Sequence, residues 1–281
     1  MATAFAVRIA GGEGSYARQA AQECFALVDR LEGLLSRFQE TSEVACIARL
    51  QPGESFRVSA ETFDCLQLAL AMHTLTGGAF DPTWGDVADR LRGGDGATPS
   101  APRGRLALDP AAFTVEVQQG TVALDLGAIG KGFALDRMAA LLREWEIFNA
   151  LLVSGGSSIL ALGQPPAAAG WEISVDEKPA QVVSLRNHSI GSSGTSVKGD
   201  HIIDPLTQEP ARRAHRAWAL SDSAAVSDAL STAWMSLTRE EIAEVCRLRP
   251  GTGAILQPGT RTDEPLIYLG TATRPDREFF Y

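Results

Sequence analysis

Residues 125–136 read Asp-Leu-Gly-Ala-Ile-Gly-Lys-Gly-Phe-Ala-Leu-Asp, placing Gly127, Gly130 and Gly132 around Lys131. Thr121 to Leu126 alternate and favour extended structure, and Phe133, Leu135, Met138, Leu141 and Leu142 then recur at helical spacing. The glycines therefore fall where a strand hands over to a helix. Backbone amides can approach a ligand closely there, and the helix start adds positive potential, so a phosphate is the expected guest. Spacing excludes two common phosphate loops. A P-loop needs four residues between its first Gly and its Gly-Lys, followed by Ser or Thr. Here two residues separate Gly127 from Gly130, and Gly132 follows the lysine. The dinucleotide fingerprint G-x-G-x-x-G does not fit these positions either. A merely structural glycine turn is the alternative reading.

Other candidate groups lie further along the chain. Asp228 and Thr232 are four residues apart, so on a helix a carboxylate and a hydroxyl share one face. Magnesium takes hard oxygen ligands and usually keeps waters and substrate phosphates in its shell, which suits such a pair; the alternative is two solvated helix residues. Each of the four histidines can take a proton near neutrality, and His201 is the one with an Asp, Asp204, three residues on that could orient it. A strand-end histidine bonded to backbone is the other reading. Asp125, two residues before Gly127, also suits turn chemistry.

The elements that must position these groups read as a mixed α+β protein. Phe5, Val7 and Ile9 mark an opening strand, and Ala20, Leu27, Leu31, Leu34, Leu35 and Phe38 form the stripe of a long helix. Phe63, Leu66, Leu70 and Leu75 predict a second helix. Short strands cluster around 104–126, 149–162 and 171–192, and another runs from His215 to Leu220 before a helix over 224–237. Strands near 253–257 and 265–270 close the chain. Strands in runs, rather than strict βαβ alternation, favour α+β over a doubly wound sheet.

Composition narrows the function. With 281 residues, 45% hydrophobic and 21% charged, the chain can bury a large core. A formal charge of −9 without a basic run argues against nucleic acid as a partner. No stretch reaches the roughly 20 apolar residues of a membrane span. Gly93 to Arg103 is the clearest loop, rich in Gly, Pro and Ser. Cys24, Cys46, Cys65 and Cys246 show neither a CxxC pair nor zinc spacing, so free buried thiols are expected. The start lacks a charged leader with a long apolar core, which predicts a cytoplasmic protein, or an exported or periplasmic one if a leader was removed.

Five blocks in order resemble the ApbE family, the FAD:protein FMN transferases. The 125–136 segment matches its core motif, and Gly78-Ala79-Phe80-Asp81-Pro82-Thr83 looks like its G-A-F-D-P-T element. Val153-Ser154-Gly155-Gly156 is similar to its Gly-Gly strand end. His201-Ile202-Ile203-Asp204-Pro205-Leu206-Thr207 resembles its H-I-I-D-P-x-T segment, and Ser227 to Ala233 its A-D-A-x-x-T-A helix. The resemblance implies one ApbE-like α+β unit over 1–281, with mixed sheets and packed helices. It also implies magnesium-dependent transfer of FMN from FAD to a Thr or Ser hydroxyl of a partner flavoprotein, releasing AMP. The alternatives are an FAD pyrophosphatase giving FMN and AMP, or a non-catalytic FAD-binding protein.

Residue roles follow from the same resemblance. The metal ligands would be Asp228, Thr232 and the carbonyl of Ala128, and the catalytic groups His201, Asp228 and Lys131. Met1, Phe38, Ala79, Phe80, Asp81, Asp125, Lys131 and Ile203 would hold the nucleotide. Phe38 would stack on adenine, although it also ends a helical apolar stripe, which suits core packing. Lys131 would answer the pyrophosphate and Asp125 would accept from ribose or adenine. The chain departs from the family pattern at Ala48, where an amide is usual, and at Ser157, where Asn or Asp is common. Ser193-Gly194-Thr195-Ser196 replaces S-G-D-Y. These departures fall in parts expected to face the acceptor more than in the nucleotide and metal parts.

Overall fold

The computed structural model describes residues 3–85, 104–175, 181–195, 202–259 and 264–272. Met1, His201, Ser196 and the Gly93–Arg103 loop lie outside these residues. In chain order the elements are β1 (Phe5–Ile9), α1 (Gly14–Leu35), α2 (Glu43–Ile47), β2 (Ser55–Arg57), α3 (Ala60–Leu75), β3 (Arg105–Asp109) and β4 (Thr114–Gln119). There follow α4 (Gly130–Glu144), β5 (Ala150–Ser154), β6 (Ser158–Leu162), β7 (Trp171–Ser174), β8 (Val182–Leu185) and β9 (Ser189–Gly194). The rest are β10 (Arg216–Ser221), α5 (Ala224–Ala233), α6 (Arg239–Leu248), β11 (Gly253–Gln257) and β12 (Ile267–Gly270).

Seven strands form one sheet in the order β1-β5-β6-β9-β10-β11-β12, with every neighbouring pair antiparallel. That is the expected α+β class. Strand alternation sends side chains to two different cores. Ala217 and Ala219 of β10, with Ala254 and Leu256 of β11, join the helices in the main core. Trp218, Leu220 and Ile255 face the other way and pack with Trp171, Ile173 and Leu185 of the β7–β8 hairpin. The small β2-β4-β3 sheet meets α3 through Phe113, whose ring lies 5.3 Å from that of Phe63, edge to face.

Three local expectations change. The 121–126 segment is extended but forms no named strand; among the described residues it pairs through an isolated parallel bridge between Ala123 and Trp84, with Gly85 N donating to Ala123 O at 2.8 Å. Its neighbouring segment contains Pro82, which has no amide proton to extend the pairing. Helix α1 ends at Leu35, where the Ser36 amide closes on Glu32 O, so Phe38 falls beyond it and is 83% exposed. Core packing is thereby excluded for that ring. Helix α6 adds to the expected elements, with Thr238 and Glu241 forming a capping box ahead of it. The cysteines are free, and Cys24, Cys65 and Cys246 are buried. Burial pushes their thiols up, Cys65 to about 12 and the other two to about 11.

Helices α4 and α5 position the groups expected to do chemistry. Helix α5 lies against β9 and β10, and α4 packs beside it and against β5 and β6. Glycine allows the approach at two points. A side chain at Gly132 would run into the Ala224 carbonyl, and one at Gly191 into that of Ser227. Each helix also receives a carboxylate from the other at its start. Asp136 of α4 accepts from Ser223 Oγ at 2.7 Å, Ala224 N at 2.8 Å and Ala225 N at 3.0 Å, while Asp228 of α5 accepts from Gly132 N at 3.1 Å. Helix α4 has no side-chain cap of its own, so Asp228 serves as one from across the interface. Burial pushes the Asp136 carboxyl up, opposed by the bonds from Ala225, Ser223 and Ala224. Replacing Asp136 with Ala orphans two helix amides, so urea unfolding should show a loss of about 1–3 kcal/mol. Asp136→Asn, which keeps one acceptor oxygen, should lose less; equal stability of Asp136→Ala and the parent chain would refute the cross-helix cap.

Candidate active site

The glycine turn is built by its own first residue. Asp125 Oδ1 accepts from Gly127 N at 2.8 Å, the turn chemistry that an Asp two residues before a Gly permits. Asp125 Oδ2 lies 3.7 Å from Arg37 Nε, and the Arg37 guanidinium sits 4.7 Å from the centre of the Phe38 ring. Exposed Phe38 is thus tied to the turn through Arg37. Asp125 N donates to Pro82 O at 2.8 Å, which sets the 79–83 segment alongside. In that segment Ala79 and Phe80 are buried. Asp81 Oδ1 accepts from Thr83 N at 2.9 Å and Thr83 Oγ1 at 2.7 Å, while Phe80 O bonds His73 Nδ1 at 3.0 Å. Because a carbonyl only accepts, that Nδ1 carries the proton. The backbone of this segment is tied to α3, with Ala79 N donating to Thr76 O at 3.2 Å and Phe80 N to Thr76 Oγ1 at 3.1 Å.

Asp228 is the centre of the site. Its side chain is only 3% exposed, which excludes the reading of a solvated helix residue. Ser158 Oγ donates to Oδ1 at 2.8 Å, and Gly132 N to Oδ2 at 3.1 Å. Lys131 Nζ lies 3.1 Å from both oxygens and donates to Gly127 O at 3.0 Å. The lysine expected to meet a phosphate is thus engaged by a carboxylate and a carbonyl. One turn on, Thr232 is the only α5 residue that is not buried. Its hydroxyl lies 3.2 Å from Ser193 Oγ, which also meets Ser231 Oγ at 3.0 Å.

The His201 segment is described from Ile202 onward. Ile203 bridges Pro210, and Asp204 Oδ1 accepts from Leu206 N at 2.9 Å, so this carboxylate closes its own turn. The segment adjoins the 78–81 block, since a Cβ at Gly78 would stand 3.4 Å from Leu206 Cδ2. Among the departures, Thr195 Oγ1 pairs with His215 Nδ1 at 3.0 Å and Ala48 ends α2.

Magnesium can be tested against this donor set. A buried carboxylate, a hydroxyl one turn away and a glycine-turn carbonyl are hard oxygens, and an ammonium already stands against the carboxylate. The residues suit a cation. Among the described residues no group of three or more His, Cys, Asp or Glu forms a denser metal cluster. Ser158, Ser193 and Arg37 carry no role in the sequence reading. Ser158 had one available signal, its place directly after the Gly-Gly strand end and Ser157.

The ApbE family model matches residues 1–256. The chain belongs to the ApbE family. A Treponema pallidum FAD:protein FMN transferase is 30% identical, covering 84% of this chain and 76% of the relative. One from Chlamydia muridarum is 25% identical over 81% of this chain and 78% of its own. The flavin transferase ApbE of Vibrio cholerae superposes with a TM-score of 0.78 at 22% identity, covering 97% of this chain and 94% of the other. The apo flavinyl transferase ApbE of Pseudomonas stutzeri gives 0.79 at 20% identity, covering 95% and 90%. At those identities the two structures establish the ApbE fold alone. No helix among the described residues is long and apolar enough to cross a membrane.

Ser158 gives this ApbE-type site a direct test. Ser158→Ala leaves Asp228 Oδ1 short of one donor in a dry setting, so thermal unfolding should register a loss of about 1–3 kcal/mol. An unchanged melting temperature would mean that Ser158 does not support the carboxylate.

Proposed function

We propose that this chain transfers FMN from FAD to a Thr or Ser hydroxyl of a partner protein, forming a phosphoester and releasing AMP, with magnesium as its cation. The observation that carries the reading is the family match over residues 1–256 together with the meeting of the glycine turn and α5 at one buried carboxylate, Asp228. The name shared by the curated relatives supports FAD as donor and a protein as acceptor. Residues 1–281 act as a single unit in this reading.

The acceptor oxygen attacks the phosphorus of the FMN half. The bridging P–O bond breaks, and AMP leaves with its electron pair. His201 takes the hydroxyl proton as the new bond forms. Asp228, Thr232 and the Ala128 carbonyl hold the magnesium, which when bound supplies Lewis-acid charge at the phosphate oxygens. Lys131 adds positive charge where the bridging and leaving oxygens become negative. Met1, Ala79, Phe80, Asp81, Asp125 and Ile203 line the nucleotide. Phe38 offers its exposed ring to the adenine, backed by Arg37. Ser193 and Thr195 are engaged within the protein, which supports an acceptor surface differing from the family pattern.

AMP release from FAD and Mg2+, with and without a candidate acceptor domain, tests the reading. Acceptor-dependent AMP with FMN bound covalently to the acceptor is expected. AMP and free FMN without any acceptor would make the chain an FAD pyrophosphatase; FAD bound without AMP would make it a flavin binder. Asp228→Ala should abolish magnesium-dependent turnover, Thr232→Val should weaken the metal less, and His201→Ala should slow transfer roughly 10²–10⁴-fold. Calorimetry should find FAD bound more tightly than FMN. Phe38→Ala should weaken FAD by about 1–3 kcal/mol and leave FMN unchanged; equal losses for both would remove the adenine from Phe38.

A further inference from the structure

Lys131 sits in an oxygen cage that leaves its ammonium nothing further to bind. Its three protons have three acceptors: Asp228 Oδ1 and Oδ2, each at 3.1 Å, and Gly127 O at 3.0 Å. Both carboxylate oxygens are also engaged from the other side, Oδ1 by Ser158 Oγ at 2.8 Å and Oδ2 by Gly132 N at 3.1 Å. Asp228 thus already has a complete shell with one cation in it. Magnesium binds oxygen at about 2.0–2.1 Å, so a divalent ion on either oxygen would stand against the ammonium in a setting where little solvent screens them. Two cations cannot share the carboxylate in that arrangement. The lysine has a way out, because its side chain is 21% exposed while that of Asp228 is 3% exposed.

We propose that Lys131 and the divalent cation compete for Asp228: the ammonium is the carboxylate's counter-ion until the metal enters, and entry turns it outward, where a pyrophosphate can take it. This rests on the reading of Asp228 as a metal ligand and adds a role for Lys131. The lysine guards a buried carboxylate against standing uncompensated, and its positive charge reaches the substrate side only when the metal is in place. Loading the metal and arming the lysine are one event.

Calorimetry of Mg2+ binding to the full chain without FAD tests the competition. Lys131→Met keeps the length of the side chain and removes the charge, so Mg2+ should bind at least about tenfold more tightly than to the parent chain. Asp228→Asn should lose that binding. Equal or weaker binding to Lys131→Met would overturn the competition while leaving the metal reading intact. Absence of binding in both chains would overturn both. A measurement on the unsubstituted protein guards against misfolding of the variant. The chain has three lysines, Lys131, Lys178 and Lys198, so acetylation of each Nζ is easily followed by mass spectrometry. Adding Mg2+ should raise the acetylation rate of Lys131 several-fold, and an unchanged or lower rate would overturn the proposal.

Discussion

The crossing of α4 and α5 is the constraint on which the rest of the site depends. Helix starts carry amides without intrahelical acceptors and a partial positive charge. Here two such starts lie close enough for each helix to supply the other's anion, Asp136 for α5 and Asp228 for α4. The distance is set by glycine, because any side chain at Gly132 would meet the Ala224 carbonyl. The contact that brings the helices together therefore also sets a carboxylate beside the glycine turn.

Placing that carboxylate in a dry setting is expensive unless it is paired and bonded. Asp228 meets both conditions through Lys131, Ser158 and Gly132, drawn from the first turn of α4 and the start of β6. The surrounding polar groups are arranged in the same way. Ser189 Oγ donates to Ser221 O at 2.7 Å and lies 3.0 Å from Ser227 Oγ, holding the buried face of α5 to the sheet. Thr232, the one partly open residue of that helix, is where this network reaches the accessible side.

Elements with a strong local signal are legible in the sequence. The β1 alternation, the α3 stripe and the helix after the glycine turn all lie within a few residues of their expected positions. The 121–126 segment reads as a strand because alternation reports burial on one side and says nothing of a partner to pair with. Phe38 is ambiguous in the sequence because a helical stripe does not reveal where its helix stops; the chain leaves the helix three residues earlier. Helix α6 carries both a capping box and a clear apolar face, Ile242, Val245 and Cys246, so its signal stands in the sequence although the periodicity reading passes over it.

Residue types and order in the sequence by themselves determined the family blocks, the α+β class and the pairing of a carboxylate with a hydroxyl on one helix face. Those follow from local spacing, which the chain carries wherever it goes. Only the tertiary structure decided which groups meet across long separations. Lys131 and Asp228 are 97 residues apart, Ser158 and Asp228 are 70 apart, and Asp136 reaches the start of α5. Nothing in local pattern encodes such contacts, because they arise from the packing of α5 against α4 and the sheet. For the same reason Lys131, which sequence alone aims at a phosphate, rests against a carboxylate: the fold buries Asp228 beside it, and a buried carboxylate needs a counter-ion.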